Sequence, residues 1–340
     1  MKVKSVCAAM CVLSAATNAD ILIINSGSDI VMRADDMGNV IEPGFMNLNF
    51  TNVAPQTPKG LTVVNDEIWI TDSLSDVIYR YSRSTVPVFL GTIGGPGGGL
   101  DGMRGLAFIN GTVYVTTSGT DNGAPGDAIV RISPAGTILG SFPATNPFDI
   151  VLHNGNLLVS NADDESLDIY SLAGAFLGSL HDSDGVSGID FPQQIFVKDN
   201  GNLLVAGFSA PFGVYEYNSL GQQLNFYPLP GPRGVIGLPD GQILWTQGQG
   251  PFRYNPATNT SESLYAGESC QYMLKVELTP GCRADFNHDG FVDGFDYDDF
   301  VACFEGDPCP PNQDADYNDD GFPDGFDYDD FVADFEAGCF

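Results

Sequence analysis

Two stretches near the C-terminus combine residue types and spacing that would hold a hard cation. From Asp285 the chain reads DFNHDGFVDGFD, and from Asp316 it reads DYNDDGFPDGFD. Calcium takes about six to eight oxygen ligands, and a twelve-residue loop delivers them from positions 1, 3, 5, 7, 9 and 12 around a glycine at position 6. The first stretch puts Asp285, Asn287, Asp289, Asp293 and Asp296 at the side-chain positions, with Gly290 at the turn and the backbone carbonyl of Phe291 at position 7. The second repeats the set with Asp316, Asn318, Asp320, Asp324 and Asp327, Gly321 and Phe322. A solvated acidic tail has no reason to satisfy this register twice, with aromatics interrupting the charge at fixed spacing. The expected cofactor is calcium, one ion per loop.

Each loop is followed by a helical pattern, over 297–304 and 328–335. Tyr297, Phe300, Val301 and Phe304 fall on one apolar helix face, and Tyr328, Phe331, Val332 and Phe335 repeat it 31 residues later. One loop and one helix per unit, with Asp rather than the usual EF-hand Glu at position 12, resembles a dockerin, a small calcium module that docks onto a cohesin or related receptor. The start at Cys282 and the ending Gly338-Cys339 further resemble the GC-type dockerins at the C-terminus of secreted bacterial proteins. The resemblance spans 282–340 and implies a cohesin-like or other surface receptor as partner. In dockerins, loop positions 10 and 11 help to choose that partner. Here they are Gly294-Phe295 and Gly325-Phe326, so Phe295 and Phe326 are candidates either for docking or for the core of a module with few apolar residues. Cys282 with Cys339 would tie the module's ends and Cys303 with Cys309 would clamp its linker, while pairing of Cys270 with Cys282 stays open. A module this small and charged is expected to be largely unfolded without metal.

The elements ahead of this module are short strands. Over 20–280, β-branched and aromatic runs alternate with Gly, Asn, Asp and Pro turns. Apolar openings at Leu61, Leu106, Ile150, Ile195 and Val235 are spaced by 45, 44, 45 and 40 residues, each followed by a turn and a second strand. Asn110-Gly111 and Asn154-Gly155 supply the positive φ angles of tight hairpins. A period of ~40–50 residues with four strands per unit is that of a β-propeller blade. The stretch 21–24 matches a second strand whose first is missing, and 273–278 can pair beside it to close the ring. The predicted fold is therefore an all-β six-bladed β-propeller with a small α-helical, EF-hand-like domain at its C-terminus. Pro58-Lys59-Gly60-Leu61 and Pro232-Arg233-Gly234-Val235 resemble the blade opening of NHL-type six-bladed propellers, and Arg104-Gly105-Leu106 matches it without the proline.

Blade register places two rings of residues near the axis. Lys59, Arg104, Phe148, Gln193, Arg233 and Gln271 precede the first strands; Asn25, Asp72, Thr117, Asn161, Gly207 and Gln247 follow the second. Three cations at equivalent positions suggest a positive mouth for an anionic ligand such as an acidic sugar, or else strand-end caps paired with nearby Asp. The second ring resembles the Asn/Asp set that binds calcium in gluconolactonase-like propellers. Lys59, Arg104, Arg233, Asp72, Asn161 and Gln247 are the candidate ligand-binding residues. No catalytic residue is assigned: His153, His181 and His288 read as surface residues, and no Ser or Cys nucleophile motif accompanies them.

Charge narrows the function. The chain has 44 acidic and 13 basic residues among 340, for a net charge of -31, which argues against nucleic acid as a partner. Residues 282–340 hold 18 of the acids and one base, Arg283. At the N-terminus, Lys2 and Lys4 precede an apolar run over 6–16 and a small-x-small site ending at Ala19, the pattern of a signal peptide over 1–19. No other run has the length of a transmembrane segment. The expectation is an exported bacterial protein, extracellular or on the cell surface, whose propeller binds a ligand or protein and whose dockerin docks it onto a receptor or scaffold. The alternative is a polysaccharide-active enzyme carried by the same module, a glycoside hydrolase, lyase or lactonase-like propeller in polysaccharide catabolism.

Overall fold

The computed structural model describes residues 19–50, 53–183, 188–287, 291–310, 313–318 and 321–338. The stretch 1–19, read from the sequence as a signal peptide, lies outside the described residues up to its last position. Among them, no helix is long and apolar enough to cross a membrane.

Six four-stranded sheets form the blades of a propeller. Their innermost strands, in ring order, are Cys270–Val276, Pro58–Val64, Leu106–Ile109, Pro147–His153, Pro192–Val197 and Gly234–Gly237. Neighbouring inner strands touch around a closed circuit. Blade one is composite: Ile21 lies opposite Lys275, Leu22 opposite Leu274 and Ile23 opposite Met273, which joins the two ends of the propeller stretch and closes the ring between first and last blades. The closing strand begins three residues before the expected 273, because a register shift between Ile23 and Asn25 admits Cys270 to the ladder.

Apolar side chains are buried in six layers, one between each pair of blades. Leu22, Tyr79 and Tyr272 meet between blades one and two, Trp69, Leu106 and Val115 between two and three, and Ile236, Leu244 and Met273 close the circle. Alternate faces of each strand serve alternate layers, as the two-residue side-chain period requires.

A hydroxyl at the end of four second strands ties each inner strand to the next. Thr71, Thr116, Ser160 and Thr246 donate to the carbonyls of Arg104 (2.5 Å), Phe148 (3.2 Å), Gln193 (2.8 Å) and Gln271 (2.5 Å). The same oxygens accept the amides of Gly60, Gly105, Asp149 and Gly234 in their own blades. In blade five the position is Ala206, and the neighbouring Gln194 bridges instead: its Oε1 accepts Val235 N at 3.0 Å and its Nε2 donates to Met273 O at 2.6 Å. This belt fixes the residues that ring the axis.

Residues beyond Val276 leave on the face opposite the start of the inner strands. Thr279 exchanges hydrogen bonds with Thr85 and Arg83, Arg83 Nη1 reaches Glu277 O at 2.7 Å, and Gly281 N donates to Thr85 Oγ1 at 2.8 Å, a strap against the bottom of blade two. The C-terminal segment then contributes helices α1 (Gly294–Phe304) and α2 (Gly325–Ala337). Both start three residues earlier than the apolar pattern indicated, since Asp293 and Asp324 cap them with reciprocal capping boxes completed by Asp296 and Asp327. Phe300 and Phe331, equivalent in the two repeats, stack with centroids 4.0 Å apart and planes 10° from parallel. Around them Ala284, Phe286, Cys303 and Tyr317 make a separate core.

Cys303 and Cys309 form a disulfide, as the sequence suggested. Cys282 is also disulfide-bonded, while Cys270 is buried and free, so the pairing of Cys270 with Cys282 is not the one adopted. Cys339 lies outside the described residues. His153 is buried rather than at the surface, because the turn at 218–221 covers it and the Ser219 carbonyl sits 3.3 Å from its Nε2.

Candidate functional site

The first ring converges. Lys59, at the start of the inner strand of blade two, is only 8 % exposed and extends across the axis. Its Nζ donates to Gln193 Oε1 on the opposite blade and to Gln271 Oε1 on the adjacent one, both at 2.9 Å. The rings of Tyr272 and Phe148 flank the ammonium at 4.9 and 5.6 Å. Tyr272 Oη spans the axis a second time, reaching the Phe148 carbonyl at 3.3 Å. Beside them the buried Asp149 accepts Ile195 N at 2.8 Å. The axis is therefore filled with side chains at this level.

Burial sets the electrostatics of this plug. Desolvation, with Arg233 and Arg104 nearby, holds the Lys59 amine well below the usual lysine range. Burial pushes the Asp149 carboxyl up to about 7, against the pull of two backbone amides and Lys59.

Above the plug, Arg104 and Arg233 are half-buried on the same face. Arg104 lies 3.8 Å from the Phe148 ring centroid, with Nη1 on Asn146 Oδ1 (2.5 Å) and Pro147 O (3.1 Å). Arg233 Nη1 donates to Ser269 Oγ at 2.8 Å, and its guanidinium lies 5.8 Å from the Phe208 ring. Of the other described cations, Arg33, Arg80, Arg83, Lys198 and Arg253 pair with carboxylates, whereas Lys275 donates to the Gly237 carbonyl and Arg131 forms no ion pair. Among the described residues, Lys59, Arg104 and Arg233 have no carboxylate within salt-bridge distance. Asp149 acts on Lys59, and Asp127 and Asp163 act on Arg104, without closing to ion pairs.

The second-ring side chains bond mainly within their own blades, while Asn25 Nδ2 and Asn161 Oδ1 are buried without a hydrogen-bond partner among the described residues. Asp72 spends its carboxylate on the amides of Gln56, Thr57, Leu74 and Ser75, tying the loop before blade two to its central turn. Asn161 Nδ2 donates to Asp168 within blade four at 2.7 Å. Asn25 Oδ1 accepts two turn amides, Thr117 Oγ1 bonds Gly126 O, Gly207 packs beneath Tyr215, and Gln247 pairs with Gly250 across a hairpin.

In the C-terminal segment the two candidate metal loops repeat the same hydrogen bonds. Asn287 N and Asn318 N each reach the twelfth-position carboxylate, Asp296 or Asp327, at 3.0 Å. Asp293 N and Asp324 N donate to the other oxygen of that carboxylate at 2.9 and 2.7 Å. Asp296 and Asp327 are fully buried, and backbone amides, that of Asp324 foremost, hold the Asp327 carboxyl below the usual range. Gly321 has φ +93°, a left-handed angle that suits glycine, and its amide donates to Asp316 Oδ2 at 2.7 Å. Asp285 and Asn287 open the first loop, with Phe291 and Phe322 at the seventh positions; Asp289 and Asp320, like His288 and Gly290, lie outside the described residues. Among the described residues no three acidic, His or Cys side chains stand close enough to hold a metal by themselves. Phe295 and Phe326 are 69 % and 70 % exposed, so the core role is not theirs; Phe291 at 71 % and Phe322 at 73 % stand out with them.

Sequence reasoning missed Asp149, Tyr272, Phe191 and Phe208. The first two follow ring positions directly, a signal present in the repeat. Phe208 likewise follows the second-ring Gly207, whereas Phe191 lies in a turn between aligned strands, where the repeat carries no register.

No family model matches the chain, and no curated protein does. Solved structures share the propeller fold. A protein of unknown function from Bacteroides caccae is 15 % identical with a TM-score of 0.53, covering 76 % of this chain and 99 % of its own. A chain from a nidogen/laminin complex is 15 % identical with a TM-score of 0.59, over 77 % and 99 %. A streptogramin B lyase is 17 % identical with a TM-score of 0.51, over 76 % and 80 %. At such identity the likeness concerns the fold alone.

Proposed function

We propose that this is an exported binding protein whose propeller takes a carboxylate-bearing ligand at the cationic mouth, while a dockerin-like calcium module holds it on a receptor. The observation that carries the first half is the placement of Arg104 and Arg233 on one face, half-buried and outside salt-bridge distance of any carboxylate among the described residues, in a chain of net charge -31. Guanidinium groups left outside ion pairs on an acidic protein attract anions locally and bind carboxylates through paired N–H donors.

For the tail, the donor chemistry fits calcium. Every side-chain candidate is a carboxylate or amide oxygen, and the twelfth-position carboxylates retain acceptor capacity beyond their two backbone bonds. Asp285, Asn287, Asp289, Asp293 and Asp296 would hold one ion with the Phe291 carbonyl; Asp316, Asn318, Asp320, Asp324 and Asp327 would hold the other with Phe322. The bound ions would supply the positive charge that lets these carboxylates sit together. Phe291, Phe295, Phe322 and Phe326 then offer apolar contacts to a receptor, rimmed by the acids of α1 and α2. Because the tail leaves the face opposite the mouth, docking would present the mouth outward.

The mouth is tested by calorimetric titration of the full-length protein with oligogalacturonate and with aromatic carboxylates. Wild type should bind at least one of them, and Arg104→Gln/Arg233→Gln should weaken it at least tenfold. Equal binding by the variant would sink the mouth assignment.

A further inference from the structure

The two guanidiniums of the mouth are joined by a continuous arc of aromatic rings. Arg104 stacks on Phe148 at 3.8 Å, Phe148 meets Phe191 edge to face at 4.8 Å, Phe191 meets Phe208 at 5.8 Å, and Arg233 closes the arc on Phe208 at 5.8 Å. These residues come from blades three to six, so the propeller brings them together from distant points of the chain. Phe191 and Phe208 remain partly exposed. Their loops are tied by the Phe208 amide on the Phe191 carbonyl at 3.1 Å.

Phe191 has φ +50°, in the left-handed region, directly before Pro192. That conformation is disfavoured for a bulky side chain and disfavoured again by the following proline ring. Here it turns the ring between Phe148 and Phe208. Strained residues of this kind gather where a surface must be shaped for a ligand.

The remaining nitrogens of Arg104 and Arg233 have no partner among the described residues and reach solvent. A guanidinium on an aromatic face is only weakly hydrated, which favours a carboxylate that arrives with its own apolar body. A uronate can lay one C–H face on a single ring, whereas a flat aromatic body covers more of both Phe191 and Phe208 and adds ring–ring contacts.

Resting on the mouth reading above, we propose that the ligand is an aromatic acid, its carboxylate on Arg104 or Arg233 and its ring against Phe191 and Phe208.

The test uses the full-length protein with 2-naphthoate, neutral 2-naphthol and trigalacturonate as calorimetric probes. Expected are saturable 2-naphthoate binding, at least tenfold weaker binding of the other two, and at least tenfold loss for 2-naphthoate in Phe208→Ala and in Arg104→Gln/Arg233→Gln. Phe208→Leu keeps the apolar volume if Phe208→Ala fails to fold, and should also weaken the aromatic probe. Tighter binding of trigalacturonate, lost in the arginine variant, would leave the anionic mouth standing and overturn the aromatic acid. Failure of both anions would overturn both readings. Binding of 2-naphthoate that neither variant changes would place it elsewhere and overturn the proposal.

Discussion

Lys59 Nζ on blade two donates to Gln193 Oε1 on blade five at 2.9 Å, so one side chain crosses the whole propeller axis. Gln271 Oε1 receives a second bond from it. Lys59→Ala would open a void on the axis and leave two buried amide oxygens without their donor, at a cost of about 2–4 kcal/mol. Lys59→Met fills the volume and removes the desolvated charge, so its cost should be roughly half as large. Urea denaturation at neutral pH checks the order; equal stability of wild type and Lys59→Ala would mean the axis is not held by this bridge.

Asp149 sits beside the bridge with its carboxyl pushed up to about 7 by burial, from an ordinary 3.8. Between those values the folded state keeps a proton that the unfolded chain has lost. Stability contributed by this group is present below about pH 4, declines as pH rises, and is gone above about pH 7. The slope attributable to it is at most about 1.4 kcal/mol per pH unit. Denaturation midpoints of Asp149→Asn and wild type should therefore lie closest at the acid end and separate as pH rises towards 7, because wild type loses stability there that the variant keeps. Parallel profiles would refute the assignment.

Gly60 lies where the next blade's inner strand comes closest: a Cβ there would stand 2.3 Å from the Arg104 carbonyl oxygen. Backbone cannot yield as a flexible side chain can, so Gly60→Ala should cost about 1–3 kcal/mol or more. Gly44, in an outer strand with nothing within 4 Å of its Cβ position, is the control, and Gly44→Ala should be near neutral. Comparable melting temperatures for the two variants would contradict the close approach.

What the sequence conveyed follows from where periodicity operates. Ile68-Trp69-Ile70-Thr71 and its counterparts repeat because every blade needs the same strand, and the lone strand at 21–24 exposed the ring closure for the same reason. The cations at Lys59, Arg104 and Arg233 were legible as ring positions. Their partners were not: Gln193 lies 134 residues from Lys59, and only the closed ring makes them opposite. The hydroxyls of Thr71, Thr116, Ser160 and Thr246 were in view as strand ends, yet their bridging role depends on the spacing of blades, which no local pattern encodes. Phe191 was hidden altogether, since a left-handed phenylalanine before proline contradicts local preference.

Arg283 makes the tail readable by trypsin, because it is the one Lys or Arg in 282–340 and its guanidinium lies over the Tyr317 ring at 4.7 Å. If calcium folds the tail, cleavage after Arg283 in the full-length protein should be slow with calcium and fast with EDTA. Mass spectrometry after reduction detects the released peptide. Asp296→Asn/Asp327→Asn should be cut quickly in both conditions, since those buried carboxylates close both loops. A cleavage rate indifferent to calcium would remove the metal from the account of the tail.

Phe191 supplies the last separation, between a residue kept for packing and one kept for a ligand. Its left-handed backbone costs about 1–2 kcal/mol, which glycine would not incur at φ +50°. Its ring contacts with Phe148 and Phe208 are edge and tilted pairs worth about 0.5–1.5 kcal/mol each. Relief of that strain offsets part of the lost ring contacts and burial of this partly exposed side chain, so Phe191→Gly should cost about 1–2 kcal/mol, whereas a core phenylalanine truncated this way costs about 3–5 kcal/mol. A loss in the larger range on chemical denaturation would make Phe191 a packing residue and take the strain out of the argument for the mouth.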